Sequence, residues 1–156
     1  MHRSALIVGA TGLVGQRLLA RLLDDTDVSS VVALTRRPLS LPHPKLHEGV
    51  VDFASVADFA LPPVDDYFCC LGTTMAKAGS QAAFRAVDLD LPVTLARMAL
   101  AAGATRCFVV SALGADPRAT VFYHRVKGEL EAALGALPFA AVIAFRPSLL
   151  AGPRVE

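Results

Sequence analysis

The sequence predicts an α/β protein in which helices cover both faces of a doubly wound, parallel β-sheet. Short apolar runs alternate with longer segments of helical character along the 156 residues, which indicates repeated strand–helix–strand units. The predicted strands are almost continuously apolar, as strands covered on both faces must be. A glycine-rich turn, Gly9 to Gly15, also follows the first strand. Right-handed crossovers and this turn favour the strand order 3-2-1-4-5-6.

The individual elements follow from the apolar runs. The predicted strands are Ala5–Val8, Val31–Leu34, Leu46–Val51, Tyr67–Leu71, Cys107–Val110 and Ala140–Phe145. The predicted helices are Leu13–Leu23, Gln81–Ala102 and Val121–Leu137, and the second of them could begin later, near Asp88 or Pro92. The segment Arg37–Pro44 contains three prolines, which remove backbone donors, so it is predicted to be a surface loop.

Length and composition predict one domain that spans residues 1–156. Hydrophobic residues make up 54% of the chain, which is enough to bury a core. The formal net charge of +1 gives no field that would attract nucleic acid or an anionic membrane surface. No apolar stretch reaches the roughly 18 to 20 residues that a membrane span needs. We therefore expect a soluble protein whose partners are small molecules.

The cysteines bear on the cellular compartment. Cys69, Cys70 and Cys107 lie in strongly apolar runs, where cysteine usually behaves as a small buried hydrophobe. Their odd number and this placement argue against a disulfide framework or a thiolate metal site, and favour a reducing cytoplasm. His43 and His47 flank the proline-rich loop without helical geometry, so no metal site is predicted there either.

The glycine-rich turn carries the strongest functional pattern. Its residues, between a predicted strand and a predicted helix, are Gly9, Ala10, Thr11, Gly12, Leu13, Val14 and Gly15. Gly9 permits a tight turn, Gly12 lets the backbone approach a pyrophosphate, and Gly15 lets the helix pack closely on the sheet. The free N–H groups and the positive helix end face the phosphates. The turn predicts a dinucleotide site, and a glycine turn that binds nothing is the alternative.

The end of the second predicted strand favours NADP(H). A site that prefers NAD usually has an acid about 20 residues beyond the turn, which accepts the ribose hydroxyls. This sequence has Thr35, Arg36 and Arg37 there. Two guanidiniums can bind a 2′-phosphate through charge-assisted, bidentate hydrogen bonds. The alternative is that the arginines only solvate the strand end.

Three further residues suggest proton-transfer chemistry. Tyr123 and Lys127 are four residues apart, so they share one face of the predicted helix, and the ammonium would stabilise the tyrosine phenolate. Ser111 ends a predicted strand at the carboxyl edge of the sheet, where such folds bind ligands. An exposed tyrosine and lysine without function is the alternative.

Several motifs together carry a family resemblance along essentially the whole chain. They are the GATGLVG turn, the segment Cys70–Thr74, the SALGAD stretch that begins at Ser111, the YHRVKGELE stretch that begins at Tyr123, and Arg146-Pro147-Ser148. In these motifs the sequence resembles the short-chain dehydrogenases/reductases with a Rossmann fold, of the atypical, Tat-interacting-protein-like type.

The resemblance implies a role for each matched residue. Tyr123 would be the proton donor, Lys127 would bind the nicotinamide ribose, and Ser111 would orient the substrate oxygen, with hydride coming from NADPH. The remaining implied cofactor contacts are Leu71, Gly72 and Thr73 near the central ribose, Asp52 and Phe53 near the adenine, and Pro147 and Ser148 beside the nicotinamide.

The sequence also departs from the family pattern. Ala112 and Leu113 follow Ser111 where many relatives have a second hydroxyl, and Asp88 stands where an asparagine often completes the active site. Relatives continue beyond the Arg146–Ser148 segment with helices and loops that enclose the substrate, so we expect this chain to lack most of that region. The sequence therefore predicts an NADP(H)-dependent oxidoreductase of the carbonyl reductase or alcohol dehydrogenase type. The alternative is an NADP(H)-binding redox sensor that signals to a protein partner without turnover.

Overall fold

The computed structural model describes residues 2–152, which contain a six-stranded parallel sheet. Its strands are β1 (Arg3–Val8), β2 (Val28–Thr35), β3 (Leu46–Val50), β4 (Asp66–Cys69), β5 (Arg106–Val110) and β6 (Ala141–Phe145). Their spatial order is β3-β2-β1-β4-β5-β6, which confirms the predicted Rossmann order. The order reverses between β1 and β4, so a crevice opens beyond the carboxyl ends of these strands.

Helices connect the strands and cover the sheet. They are α1 (Leu13–Asp24), α2 (Met75–Ala78), α3 (Gln81–Arg85), α4 (Leu91–Ala101) and α5 (Phe122–Gly135). The predicted helix Gln81–Ala102 begins where expected, but a π-helical turn at Ala86–Asp90 divides it into α3 and α4. In this wider turn the Leu91 N–H donates to the Ala86 carbonyl oxygen. The turn lies just before Pro92, which has no N–H to continue an α-helical ladder.

Two short elements and one strand end differ from the sequence-based expectation. The 3₁₀ turn Phe53–Asp58 and α2 were not predicted, because four to six residues are too few to show helical periodicity. The predicted strand Tyr67–Leu71 ends already at Cys69. Cys70 and Leu71 therefore belong to the loop that enters the crevice.

The core lies on both faces of the sheet, as the continuously apolar strands require. On one face, α1 packs Leu19, Leu22 and Leu23 against β1 and β2. On the other face, a larger cluster includes Leu6, Tyr67, Phe84, Leu95 and Leu130. The buried Tyr67 phenol donates a hydrogen bond of 3.0 Å to the Pro92 carbonyl oxygen, so its polar atom is satisfied. This packing fixes α4 and α5 beside β4 and β5.

The amino edge of the sheet is closed by three charged residues. Asp66 on β4 accepts hydrogen bonds of 2.7 to 2.9 Å from the guanidiniums of Arg3 on β1 and Arg106 on β5. Burial raises the pKa of the Asp66 carboxyl, but the hydrogen bonds from Arg106 and Arg3 lower it more, so its pKa lies below the ordinary value. This cluster joins three adjacent strands and was not predicted from the sequence.

The cysteines and histidines do not form a metal site in the described part of the chain. Burial raises the pKa of the Cys70 and Cys107 thiols to about 12, which disfavours their thiolate forms. Among residues 2–152, no group of three or more His, Cys, Asp or Glu side chains could hold a metal ion. Within the same residues, no helix is both long enough and apolar enough to cross a membrane.

Candidate functional site

A cleft of about 520 Å³ opens at the carboxyl edge of the sheet. It is lined by the glycine turn, the loop and α2 that follow β4, the π turn, the end of β5, the start of α5 and the segment after β6. The lining residues that the sequence singled out are Gly12, Leu13, Val14, Leu71, Gly72, Thr73, Asp88, Ser111, Tyr123, Lys127, Pro147 and Ser148. The fold thus brings both predicted halves of the site, the turn and the catalytic candidates, into one cavity.

The three glycines of the turn have different environments. Gly9 has a φ of +76°, and a Cβ there would lie 2.5 Å from the Cys70 backbone. A Cβ on Gly15 would lie 1.9 Å from the Gly9 carbonyl oxygen, so this residue lets α1 approach the turn. A Cβ on Gly12 would meet only that same oxygen among the described residues, at 3.4 Å. Gly9 and Gly15 therefore serve packing, whereas Gly12 borders the open space of the cleft.

The start of α1 suits a phosphate group. No side chain caps the N-terminus of this 12-residue helix at Gly12. Its first-turn N–H groups lack intrahelical partners and, with the positive helix end, attract an anion. Because Gly12, Leu13 and Val14 all line the cleft, the backbone of the turn fits a pyrophosphate.

The residues that the sequence assigned to the adenosine half of the dinucleotide do not line this cleft, but they lie next to it. Val8 pairs with Leu34 across β1 and β2, so Arg36 and Arg37 follow β2 next to the turn. Both arginines are exposed. The Thr35 Oγ1 just before them is buried without a hydrogen-bond partner among the described residues. An unsatisfied hydroxyl and two guanidiniums therefore adjoin the turn.

Asp52 and Phe53 already have structural contacts. The Asp52 carboxylate accepts the Ala54 N–H at 2.9 Å and caps the 3₁₀ turn. Phe53 is partly buried against the larger core cluster. Like the two arginines, neither residue lines the cleft; the same holds for Gly9, Ala10, Thr11 and Gly15.

Tyr123 and Lys127 lie on the same face of α5, as their spacing predicts. The Lys127 Nζ is 5.8 Å from the centroid of the Tyr123 ring. Tyr123 is 36% exposed and packs edge-on against Phe84. The Tyr123 ring is thus accessible from the cleft, and the buried Lys127 ammonium lies near it on the side of the protein interior.

Lys127 has a partner that the sequence did not reveal. Its Nζ lies 2.7 Å from Oδ1 of Asp88, an ion pair whose angle departs from good hydrogen-bond geometry. The other carboxylate oxygen of Asp88, Oδ2, accepts the Thr73 N–H at 2.9 Å. Both side chains of the pair are at least 95% buried. One sequence feature could have indicated the π turn that carries Asp88, namely the proline at position 92 shortly after it.

Ser111 lies at the end of β5 and lines the cleft, but it is only 4% exposed. Its hydroxyl forms no hydrogen bond of good geometry within residues 2–152, but it interacts with the Glu131 carboxylate. Nearby, Arg146 donates two hydrogen bonds to Glu131, of 2.5 and 3.0 Å. Burial raises the pKa of the Glu131 carboxyl, but the interactions with Arg146 and with the Ser111 hydroxyl lower it more, so the pKa lies below the ordinary value.

Several cleft residues were missed by sequence reasoning. Thr74, Met75, Lys77, Leu113 and His124 also line the cavity. The His124 ring packs edge-on against Tyr123, with 5.7 Å between the ring centroids. Leu113 had been noted as a departure from the family pattern, and Thr74 and His124 lie within recognised motifs but had no role of their own. Met75 and Lys77 follow no motif.

Solved structures share this fold at low sequence identity. WbmG from Bordetella bronchiseptica, in complex with NAD, has a TM-score of 0.77 and 18% identity; the match covers 99% of this chain and 56% of that one. WbmH from the same organism, in complex with NAD⁺, has a TM-score of 0.78 and 15% identity, over 99% of this chain and 58% of that one. These likenesses establish the fold.

Relatives of higher identity define the group. Protein HTATIP2 of Rattus norvegicus is 36% identical over 160 residues, which cover 99% of this chain and 66% of that protein. Protein FMP52, mitochondrial, of Coccidioides immitis is 37% identical over 164 residues, which cover 96% of this chain and 67% of that protein. This chain spans about two thirds of the length of these relatives.

The expectation of a cytoplasmic protein is wrong. Fungal relatives from Coccidioides immitis, Eremothecium gossypii and Scheffersomyces stipitis are named as mitochondrial proteins. The expectation rested on three cysteines in apolar runs. Buried, unpaired thiols indicate that these cysteines form no disulfide, and this says nothing about which compartment holds the protein.

Residues 9–141 match the family described as NAD(P)H-binding. The matched range begins at the first glycine of the turn and ends at the start of β6, so it includes the glycine turn, Asp88, Tyr123 and Lys127. Together with the strand order and the two groups of relatives, the match identifies the chain. It belongs to the NAD(P)H-binding family, with HTATIP2 and FMP52 among its relatives.

Proposed function

We propose that this protein is an NADP(H)-dependent oxidoreductase that interconverts a small carbonyl compound and its alcohol. One observation carries the proposal: Tyr123 and Lys127 line the same cleft as Gly12 and the uncapped start of α1. A proton-transfer group and a dinucleotide-binding turn in one cavity are what such a reaction requires.

Different residues around the cleft would bind different parts of the dinucleotide. The backbone from Gly12 to Val14 would hold the pyrophosphate, and Lys127 would bind the nicotinamide ribose. The Leu71–Thr73 loop, Pro147 and Ser148 would line the nicotinamide half. When bound, the dinucleotide supplies or accepts the hydride.

Arg36 and Arg37 favour NADP(H) over NAD(H). Both are exposed beside the glycine turn, and no carboxylate among the described residues forms an ion pair with either. Their guanidiniums are therefore free to bind a 2′-phosphate.

Tyr123 would transfer the proton to or from the substrate oxygen. Its ring is accessible from the cleft, and the ammonium of Lys127 lies 5.8 Å from the ring centroid. Ser111 would orient the same oxygen with its hydroxyl, which lines the cleft beside Glu131.

A redox-sensing regulator is the second candidate. It is favoured by Asp88, which already neutralises the Lys127 ammonium, and by the lack of a hydroxyl at Ala112 and Leu113. A sensor would bind the dinucleotide without turnover, and its affinity for a protein partner would differ between the oxidised and reduced forms.

Titration with NADPH and NADH, followed by NADPH oxidation over a panel of carbonyl compounds, tests the proposal. We expect tighter binding of NADPH than of NADH, and a loss of this preference by about 10- to 100-fold in Arg36→Asp. The matched control is Arg97→Asp, since Arg97 is an exposed arginine on α4 outside the cleft. We expect Tyr123→Phe to lower turnover by about 10² to 10⁴ with NADPH affinity unchanged.

Three results would count against the proposal. Equal affinities for NADPH and NADH would remove the role of the arginines. Turnover that persists unchanged in Tyr123→Phe would remove the tyrosine from the reaction. Tight NADPH binding without oxidation of any compound would favour the regulator.

A further inference from the structure

Asp88 connects two separate parts of the cleft through its two carboxylate oxygens. Oδ2 accepts the Thr73 N–H at 2.9 Å, and Oδ1 lies 2.7 Å from the Lys127 ammonium. Thr73 belongs to the loop after β4, and Lys127 belongs to α5. One side chain from the π turn therefore links two elements that meet at the cofactor half of the site.

The surroundings of Asp88 make this connection obligatory. Asp88 has no exposed surface, and a buried carboxylate is stable only when it is paired and hydrogen-bonded. Gly72 leaves room for the pair, because a Cβ at that position would lie 3.6 Å from Asp88 Oδ1 and 3.9 Å from Lys127 Nζ. The loop, the carboxylate and the ammonium thus form one packed unit at the wall of the cleft.

We propose that Asp88 is a positioning residue that holds the Lys127 ammonium against the Leu71–Thr73 loop and so shapes the nicotinamide-ribose half of the dinucleotide site. The inference rests on the proposed function, since it assigns Lys127 to the ribose. A lysine ammonium has three N–H donors. The ion pair with Asp88 fixes the place of the ammonium, and these donors are available for ribose hydroxyls.

The role of Asp88 differs from general support of the fold, because it acts through Lys127. Asp88→Asn keeps the volume of the side chain and an oxygen that can accept the Thr73 N–H, but it removes the charge that holds the ammonium. The orientation of Lys127 is then lost while the loop keeps its anchor. The adenosine half of the site, beside Arg36 and the glycine turn, is not involved.

A double-mutant cycle with two ligands tests the proposal. The variants are Asp88→Asn, Lys127→Met and the two combined. The ligands are NADPH and adenosine 2′,5′-bisphosphate, which has the 2′-phosphate but no nicotinamide ribose. We expect Asp88→Asn to weaken NADPH about tenfold in the wild-type background and less than about twofold in the Lys127→Met background. Binding of adenosine 2′,5′-bisphosphate should not change in any variant.

Two further variants keep the test decisive. Asp90→Asn is the matched control, since Asp90 is an exposed aspartate in the same π turn and should leave both affinities unchanged. Asp88→Glu keeps the charge but displaces it by one methylene, so it should also weaken NADPH selectively. Unchanged binding of adenosine 2′,5′-bisphosphate shows that a variant is folded.

The outcomes separate this inference from the proposed function. Wild-type affinity for NADPH in Asp88→Asn, or an equal loss in the Lys127→Met background, would overturn the positioning role. Parallel loss of both ligands in both Asp88 variants would indicate a structural role instead. Failure of the wild-type protein to bind either ligand would overturn the proposed function itself.

Discussion

A buried aspartate lies at each end of the parallel strands: Asp66 on β4 at the amino end, and Asp88 in the π turn at the carboxyl end. The two carboxylates are used differently. At the amino edge, Asp66 receives both of its hydrogen-bonding partners from neighbouring strands, as two guanidiniums that fill its oxygens. At the carboxyl edge, Asp88 receives one backbone N–H and one ammonium, and it borders a cleft. Asp66 therefore closes its edge, whereas Asp88 forms part of an open site.

The comparison shows that burial of a charge does not by itself indicate function. Both carboxylates are less than 5% exposed, and both are paired with basic groups. They differ in their surroundings: Asp88 lies beside Gly72 and Tyr123 in a cavity, and Asp66 lies among packed strands. Substitutions at the two edges should accordingly affect different properties.

The largest effect should come from the carboxyl edge, where the turn combines packing and binding. Gly15→Ala should destabilise the protein by about 3 kcal/mol, because the new Cβ would lie 1.9 Å from the Gly9 carbonyl oxygen. Gly12→Ala should leave the free energy of unfolding within about 1 kcal/mol but weaken NADPH binding. Urea unfolding and NADPH titration of both variants check this. Comparable stability of the two variants would contradict it.

A smaller effect is expected at the amino edge. Asp66→Asn should lower the free energy of unfolding by about 2 kcal/mol at pH 7, because charge-assisted hydrogen bonds to two guanidiniums are lost. The loss stays moderate because the side chains of Arg3 and Arg106 are 31% and 40% exposed and can be hydrated. NADPH affinity should be unchanged. Urea unfolding measures the loss, and Asp58→Asn is the control because Asp58 is exposed. Weakened NADPH binding in Asp66→Asn would show that Asp66 also affects the site at the carboxyl ends of the strands.

The smallest effect is a pH dependence of the difference in unfolding free energy between the wild-type protein and Asp66→Asn. Because the folded pKa of Asp66 is lowered, the carboxylate stabilises the protein above its unfolded pKa, near 4, and this contribution is lost as the pH falls through the folded pKa. The stability difference between the wild-type protein and Asp66→Asn should be full at pH 7 and shrink below about pH 4. Urea unfolding of both proteins from pH 7 to pH 2 measures it. A difference that stays constant would show that the charge of Asp66 is not responsible.

Much of the fold could be predicted because it depends on local patterns. The continuously apolar strands and the turn from Gly9 to Gly15 were sufficient for the parallel sheet and its strand order. The short α2 was not found, because its four residues are too few to show helical periodicity, although Thr74 and Gly79 cap its two ends. The split of the long helix depends on Pro92, which had suggested a later start instead of a wider turn.

The candidate site was predictable where residues share one helix or one turn. Tyr123 and Lys127 are four residues apart, so their common face followed from helical geometry. The pairing of Lys127 with Asp88 joins residues 39 positions apart and required the packing of α5 against the π turn. The near-complete burial of Ser111 could not be predicted either, because it depends on how the segments around β5 and β6 pack.

The π turn at Ala86–Asp90 also sets the rotational phase between two helices. One residue of an α-helix corresponds to about 100° of rotation, and a π turn adds one residue without interrupting the chain's helical path. Phe84, before the turn, and Leu95, after it, both belong to the larger apolar cluster. Deletion of a single residue from this turn would leave both helices intact in length but rotate one against the other, so that Asp88 or the buried face of α4 would point elsewhere. Insertions and deletions in this segment are thus constrained by geometry even where the individual side chains are not.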